Sequence, residues 1–213
     1  MSYVKQAWAD GPGGGTPLSA ARMDHIEDGI EGVEGDSTQF PVKSGAWYAP
    51  QATLVGATNR SLATGTLFYV PLWVPRCAID ALAVKVTVVG AAGALIRLGL
   101  YADDGQGQPG ALIEDAGTGD ATILGVIQLA LSAPRSVAGL VWLGAVGQVA
   151  ASSTIIGFLS AMGGSVSAST ADIALSNSLT TFYQASVGGA LPANAASTLA
   201  VSGTGPRIVT RVS

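Results

Sequence analysis

The sequence predicts a mainly β protein: an antiparallel, jelly-roll-like β-sandwich preceded by a short N-terminal helix that forms a coiled coil. Two observations predict the sandwich. Apolar residues alternate with polar or small ones in several segments after residue 45, and the 213 residues include 29 Gly and 10 Pro, as in a turn-rich β protein. A third observation predicts the helix, because apolar residues near the N-terminus are spaced by three and four positions.

The helix is predicted over residues 16–35. Thr16 is suited to cap it, Pro17 to its first position and Gly35 to its end. Its narrow apolar stripe has the spacing of a coiled-coil seam and consists of Met23, Ile26, Ile30 and Val33. The acids between them are suited to water: Asp24, Glu27, Asp28, Glu31 and Glu34. A helix of this length is marginal by itself, so we expect it to pack against identical copies.

The same region resembles a segment near the start of bacteriophage tail-fibre, baseplate and head-fibre proteins. The resemblance covers about the first 35 residues and lies in Trp8, Asp10-Gly11, Thr16-Pro17-Leu18-Ser19-Ala20-Ala21-Arg22-Met23 and His25-Ile26-Glu27-Asp28-Gly29-Ile30. Asp24 departs from the usual Asn of that segment. The resemblance implies a trimeric helical bundle near an attachment point, and therefore a homotrimer located in a virion that is assembled in the host cytoplasm.

Two short segments flank the predicted helix. Residues 1–15 form a leader in which Tyr3 and Trp8 are candidate anchors on another virion protein, with the glycines as a hinge; the alternative is a disordered leader. Residues 36–45 form a linker, since Pro41 prevents the helix from continuing.

The β-sandwich is predicted over residues 46–213. Strands are expected at Trp47–Tyr48, Leu67–Trp73, 82–88, 96–101, Ala121–Leu131, Val137–Val146, Thr154–Ser160, Thr180–Val187 and Arg207–Val212. Prolines are expected at strand ends or edges: Pro71, Pro75, Pro109, Pro134, Pro192 and Pro206. Eight to ten short strands with turns at regular spacing are typical of a sandwich.

A second resemblance lies in the predicted sandwich. Arg97-Leu98-Gly99-Leu100-Tyr101-Ala102-Asp103-Asp104-Gly105, Pro109-Gly110-Ala111-Leu112 and Val141-Trp142-Leu143 are similar to a β-sandwich of phage appendages and some surface proteins. Such modules often bind glycans, which implies a host-surface glycan as a partner. Trp47, Tyr48 and Tyr183 are the candidate sugar contacts, because their neighbours are typical of strand ends; the other aromatic residues of the body are expected mostly in the core.

Composition argues against two classes of partner. Charged residues make up 11% of the chain and the net charge is −4, with no basic patch, so nucleic-acid binding is not expected. The uncharged stretch Val137 to Met162 is long enough to span a bilayer, but Gln148 and Ser152-Ser153-Thr154 would lie near its centre. Two buried strands joined by a turn at residues 150–153 are the better interpretation, so membrane insertion is not expected.

Candidate chemistry is sparse. His25 and Cys77 are the only residues of their types and have no metal-binding spacing, so no metal, cofactor or catalytic residue is predicted. Asp103-Asp104-Gly105-Gln106-Gly107 lacks the ligands of an EF-hand and is interpreted as a hairpin turn, with another kind of ion site left as an alternative. A second alternative is that the same segment presents the polar groups of Gln106 and Gln108 to a sugar. Most of the body's acids lie in predicted turns, which argues against glycoside hydrolysis.

The sequence therefore favours a non-enzymatic phage structural protein. In the first hypothesis it is a fibre or tail appendage whose sandwich contacts host glycans. In the alternative it is a capsid head-fibre or decoration protein with an architectural role.

Overall fold

Antiparallel strands account for most of the described chain. The computed structural model describes residues 23–28, 42–49, 54–149, 153–160, 181–202 and 204–213. The strands of this part are β1 (Trp47–Tyr48), β2 (Leu54–Leu62), β3 (Leu67–Val88), β4 (Leu95–Asp103), β5 (Pro109–Asp120), β6 (Gly125–Gln148), β7 (Ser153–Ser160), β8 (Thr181–Gln184), β9 (Ala200–Ser202), β10 (Thr204–Pro206) and β11 (Val209–Val212). The prediction of a mainly β, antiparallel protein is confirmed.

The chain divides into two units, residues 1–41 and 42–213. In the first unit, residues 23–28 are helical, as predicted. Met23 is half-buried, Ile26 is 49% exposed and Glu27 is 5% exposed. The expectation that Glu27 faces water is therefore wrong within this unit. Tyr3, Trp8, Ile30 and Val33, and with them most of the predicted leader, helix and linker, lie outside the described residues.

The second unit is organised around a ribbon of two long strands. β3 and β6 pair antiparallel from Leu67↔Val146 to Val86↔Gly125. The sequence predicted each of these strands as two separate shorter ones. The structure joins them through two irregularities, between Val74 and Cys77 and between Ile79 and Ala81 on β3.

The ribbon folds back on itself at these irregularities. Near its end, β6 pairs Gln148 with Leu95, which in turn pairs with Asp120. Near its start, β6 places Ile127 against Gly119, the residue before Asp120. Both ends of β6 therefore lie beside the same end of β5, so the middle of the ribbon forms a bend.

The bend produces two layers, which is consistent with the predicted sandwich. In the first layer the strand order is β9-β8-β3-β6-β4-β5, using the first half of β3 and the second half of β6. In the second layer the other halves continue through β11 to β1. That layer also contains β7, which carries β2 on one edge and contacts both β3 and β10 on the other.

Among the described residues of the second unit, buried side chains form two clusters. The inner cluster takes alternate residues from both halves of the ribbon and their neighbours, including Phe68, Val70, Leu72, Leu82, Val84, Val86, Ile96, Leu98, Leu143 and Ile155. The outer cluster uses the opposite face of the first layer: Leu67, Tyr69, Tyr101, Trp142, Val146, Phe182, Val187 and Leu191. The first layer is therefore covered on both faces for part of its length.

Two details of the predicted strands are corrected. Pro109 begins β5 and Pro206 ends β10, as predicted, and Pro71 lies inside β3 within the strand predicted over Leu67–Trp73, but Pro75 lies inside β3 and Pro134 inside β6. Pro75 and Pro134 fall within the two irregular stretches of the ladder, where a missing N–H removes no ladder hydrogen bond. The strand expected from Ala121 begins instead at Gly125, because Asp120 accepts hydrogen bonds from the N–H and hydroxyl of Thr122 and forms a turn.

Candidate functional site

One half of the outer face of the first layer is covered by the segment 187–199, here called the cover segment. Leu191 lies directly over Gly99: a Cβ on Gly99 would be 2.2 Å from Leu191 Cδ1. The backbone N–H of Leu112 donates to Ala193 O at 2.9 Å, and Ala195 N–H donates to Gly110 O at 2.9 Å. The cover segment is thus fixed to β5 by backbone hydrogen bonds and to β4 by packing.

Aromatic side chains lie beneath the cover segment with their polar atoms paired. The rings of Tyr69 and Tyr101 are in edge contact with centroids 5.0 Å apart. Tyr69 OH donates to Gln184 Oε1 at 2.7 Å, and Tyr101 OH donates to Pro192 O at 3.2 Å. Burial raises the pKa of both phenols well above the usual value, so they act as neutral structural groups.

The other half of the same face is open and carries Trp73. Along β3, Leu67 and Tyr69 belong to the outer cluster while Phe68, Val70, Leu72 and Val74 belong to the inner one, so alternation places Trp73 on the outer face. Its side chain is 61% exposed. It pairs across the ladder with Leu140, which is half-buried against the outer cluster.

Asp103 and the turn after it border this open half. The carboxylate of Asp103 accepts a hydrogen bond from Trp142 Nε1 at 2.9 Å and from the backbone N–H groups of Gly105 and Gly107. The carboxylate of Asp104 accepts from Gln106 N–H and Gln108 N–H. The predicted hairpin turn at residues 103–108 is confirmed, and its acids serve as acceptors for the turn's own backbone.

The predicted sugar contacts do not form one surface. Trp47 is 40% exposed, and the Arg211 guanidinium lies 5.8 Å from its ring centroid. Tyr48 OH accepts a hydrogen bond from Lys43 N–H at 2.6 Å. Tyr183 packs against the inner cluster and contacts the Phe68 ring at 5.9 Å. Trp47 and Tyr48 lie on β1 of the second layer, whereas Tyr183 lies on β8 of the first.

Sequence reasoning missed Trp73, which it placed with the core aromatics. A signal existed, since Trp73 has the strand parity of Leu67 and Tyr69 and not of Phe68 and Leu72. That parity alone could not show that the cover segment, far along the chain, protects Tyr69 and stops short of Trp73.

In the part of the chain that the structure describes, three ion pairs hold strands to their neighbours. Arg97 binds Asp115 between β4 and β5, Arg135 binds Glu114 between β6 and β5, and Arg211 binds Asp80 between β11 and β3. Burial by itself raises the pKa of Asp115. Hydrogen bonds from Arg97 and from the N–H groups of Gly117 and Leu191 outweigh it and hold that pKa below its usual range. These pairs have a structural role.

The remaining candidates for reactive chemistry in the described residues are His25 and Cys77. His25 is exposed, and burial raises the pKa of the Cys77 thiol, which disfavours the thiolate. In the described part of the chain, no three His, Cys, Asp or Glu side chains are grouped so as to hold a metal ion. Among the same residues, no helix is long and apolar enough to cross a membrane.

Comparisons with known proteins identify a distant structural similarity. No family model matches the sequence, and no curated protein matches it. One similar solved structure is that of the cysteine protease and lectin-like domains of Cwp84, a surface layer associated protein of Clostridium difficile, with 10% identity and a TM-score of 0.43. The match covers 73% of this chain and 36% of that one. A likeness this distant carries no functional inference.

Proposed function

We propose that the protein is a non-enzymatic, homotrimeric structural protein of a bacteriophage virion, in the manner of a fibre or tail appendage. Tyr3 and Trp8 dock it on other virion proteins, the helix joins three copies, and the jelly-roll-like sandwich faces outward, where it contacts host-surface glycans. The proposal is supported by the phage-like segment of residues 8–30 together with the β-rich unit that follows it.

The exposure of Ile26 is the observation that best supports the proposed homotrimer. This residue belongs to the stripe of Met23, Ile26, Ile30 and Val33, and in the single chain it is 49% exposed. A large apolar side chain left in water on a short helix is stabilised when another helix covers it, as in a coiled-coil seam. Identical copies supply the matching stripe.

We therefore expect a mass three times the 21.2 kDa of one chain in light scattering. Replacing both Ile26 and Ile30 with Asp should dissociate the trimer, because charged seam positions repel one another, and should leave the β spectrum unchanged. The control His25→Asp with Asp28→Asn changes two positions outside the spacing of the seam and should keep the trimer. A monomer mass for the unaltered chain would contradict the proposal.

Apolar side chains at one end of the second unit favour the architectural alternative of a capsid head-fibre or decoration protein. They come from the end of β3, the turn before β6 and the residues beside them, and are exposed by 42% to 70%: Val88, Val89, Ile123, Leu124, Val126 and Val149. Such a surface is typical of protein contacts. Immunogold labelling of intact particles distinguishes the two roles: tail labelling supports the appendage, capsid labelling the architectural role, and unlabelled particles contradict both.

A further inference from the structure

The outer face of the first layer has a covered half and an open half, and the open half has the components of a ligand site. We propose that it binds a neutral saccharide, with Trp73 as the stacking surface. This site, the Trp73 shelf, consists of Trp73, Leu140, Asp103 and the turn 104–108. The inference rests on the proposed contact with glycans. It places that contact at the Trp73 shelf instead of at Trp47, Tyr48 and Tyr183.

The exposed indole supplies the apolar component. Trp73 is 61% exposed, whereas Trp142 on the same face is fully buried. Since Leu140 is packed into the outer cluster beside it, the shelf has an apolar floor at its Trp73 end. The face of an aromatic ring carries partial negative charge and attracts the weakly positive C–H groups on one side of a sugar ring.

The strand order supplies the spacing. Trp73 lies on β3, its partner Leu140 on the adjacent β6, and Asp103 on β4, which is the next strand and pairs Ala102 with Val141. Strands are about 4.8 Å apart, so Trp73 and Asp103 are separated by roughly 10 Å across the face. That distance suits about two linked hexose rings, one on the indole and one beside the carboxylate.

The polar end of the shelf is held in place before any ligand arrives. Asp103 accepts three hydrogen bonds, from Trp142 Nε1, Gly105 N–H and Gly107 N–H. A carboxylate offers about four acceptor positions, so one is left for a hydroxyl group. Because the three donors fix the carboxylate, little conformational entropy is lost when that hydroxyl binds.

The turn adds groups that can both donate and accept. Gln106 is exposed and Gln108 is half-buried, on a backbone fixed by the Asp104 carboxylate. A side-chain amide matches a sugar hydroxyl, which also donates and accepts. On the opposite side the cover segment ends the shelf, where Pro192 O receives the Tyr101 hydroxyl and Asn194 is exposed. An apolar ring, a fixed acceptor and amides together favour a neutral, hydroxyl-rich ligand over an ionic one.

The experiment follows the indole N–H signals of the four tryptophans by NMR. Lactose, maltose, cellobiose and N-acetylglucosamine are each added to the full chain, and single Trp→Phe variants assign the signals. We expect at least one sugar to shift the Trp73 signal with a Kd on the order of 1 mM, and to leave the Trp47 signal in place. The shift should persist in high salt, because the ligand is uncharged.

Three variants complete the test, and their Kd is measured from the NMR signals of the added sugar, because Trp73→Ala has no indole at position 73 to report binding. Trp73→Ala should raise the Kd at least about tenfold and Gln106→Ala by about two- to fivefold, while Trp47→Ala, which removes a comparable exposed ring, should leave it unchanged. Circular dichroism and light scattering confirm that each variant keeps its fold and mass.

Three results would overturn the inference: no Trp73 shift with any of the four sugars, a shift of the Trp47 signal alone, or loss of oligomer mass in Trp73→Ala. The last would mean that a second copy covers the shelf. If an intact trimer binds none of the sugars at Trp73, the inference about the Trp73 shelf is wrong but the virion proposal is unaffected. If particles lack the protein, the virion proposal is wrong but a measured Kd for the sugar is unaffected.

Discussion

At the scale of single residues, the carboxylate of Asp115 connects three parts of the second unit. It binds Arg97 on β4 through two hydrogen bonds of 2.9 Å, and it accepts from Gly117 N–H on its own strand. It also accepts from Leu191 N–H at 3.4 Å, at the centre of the cover segment. One charged group therefore joins the sheet edge to the segment that covers it.

The depressed pKa of Asp115 makes its contribution to stability depend on pH. A carboxyl whose pKa is lower in the folded chain stabilises the fold fully above its unfolded pKa, about 3.9, and loses that effect as the pH falls through the lower folded value. Asp115→Asn should therefore reduce the free energy of unfolding by about 1–2 kcal/mol at pH 7. The difference from the unaltered chain should shrink below about pH 4. Urea titrations between pH 7 and pH 2.5 measure both curves, and a constant difference would contradict this account.

The sequence correctly predicted the turn at residues 103–108, but it did not predict the exposure of Trp73. The turn is local: Asp and Gly within six positions determine it, so the sequence alone was sufficient. The exposure of Trp73 depends on where residues 187–199 end on the face of a sheet formed by other segments. Strand periodicity carries no information about a cover that comes from so far along the chain.

At the scale of elements, the cover segment behaves as a separate layer held to the sheet by a few contacts. Leu191 fills the space above Gly99, and Gln184 Oε1 accepts from both Tyr69 OH and Ala196 N–H. Gln148 Nε2 donates to Gly189 O. The segment needs Gly99, because any larger residue there would occupy the position of Leu191.

Gly99→Ala tests this packing. The new Cβ would meet Leu191 Cδ1 at 2.2 Å and Glu114 O at 3.2 Å, so the cover segment must shift, at a cost of about 1–3 kcal/mol. The amides of Leu112 and Ala195 should then exchange hydrogen faster, while those between β3 and β6 keep their protection. Gly188→Ala is the matched control, because a Cβ there meets nothing within 4 Å.

A second variant makes the comparison decisive. Adding Leu191→Ala to Gly99→Ala should recover part of the lost stability if the clash is the cause, since the two changes are coupled. Equal stabilities for Gly99→Ala and Gly188→Ala would show that Leu191 does not lie over Gly99.

The long strands β3 and β6 show why the ends of strands were predicted less accurately than their positions. The alternating pattern identified both halves of β3, but Pro75 suggested a break between them. The structure accommodates Pro75 in a bulge and keeps the strand continuous. Whether a proline ends a strand or sits in a bulge depends on its partner strand, and the partner of β3 lies some 60 residues away in β6.

At the scale of the whole molecule, the two units separate the buried clusters from the stripe proposed for association. Among the described residues, the inner and outer clusters draw all their members from the second unit. The proposed stripe lies entirely in the first. Stability of the sandwich and formation of the proposed trimer are therefore expected to respond to different substitutions.

A chain truncated to residues 42–213 tests this separation. It should fold, because both buried clusters are retained, and it should be a monomer, because Met23, Ile26, Ile30 and Val33 are gone. Its β spectrum and its unfolding midpoint in urea should match those of the double Ile26→Asp, Ile30→Asp variant. A truncated chain that remains trimeric would place the association surface on the sandwich, and one that fails to fold would show that the two units depend on each other.

The folded-back ribbon also affects the order in which the chain can acquire structure during synthesis. Leu67 finds its partner only when Val146 has been made, and β11, which pairs with the second half of β3, lies among the last residues of the sequence. At ~5–20 residues per second, the first half of β3 waits on the order of ten seconds beside the ribosome with unpaired backbone groups and apolar side chains exposed. The nascent protein is therefore expected to depend on chaperones that shield unpaired strands, and slower translation ahead of β6 should lower the yield of soluble protein.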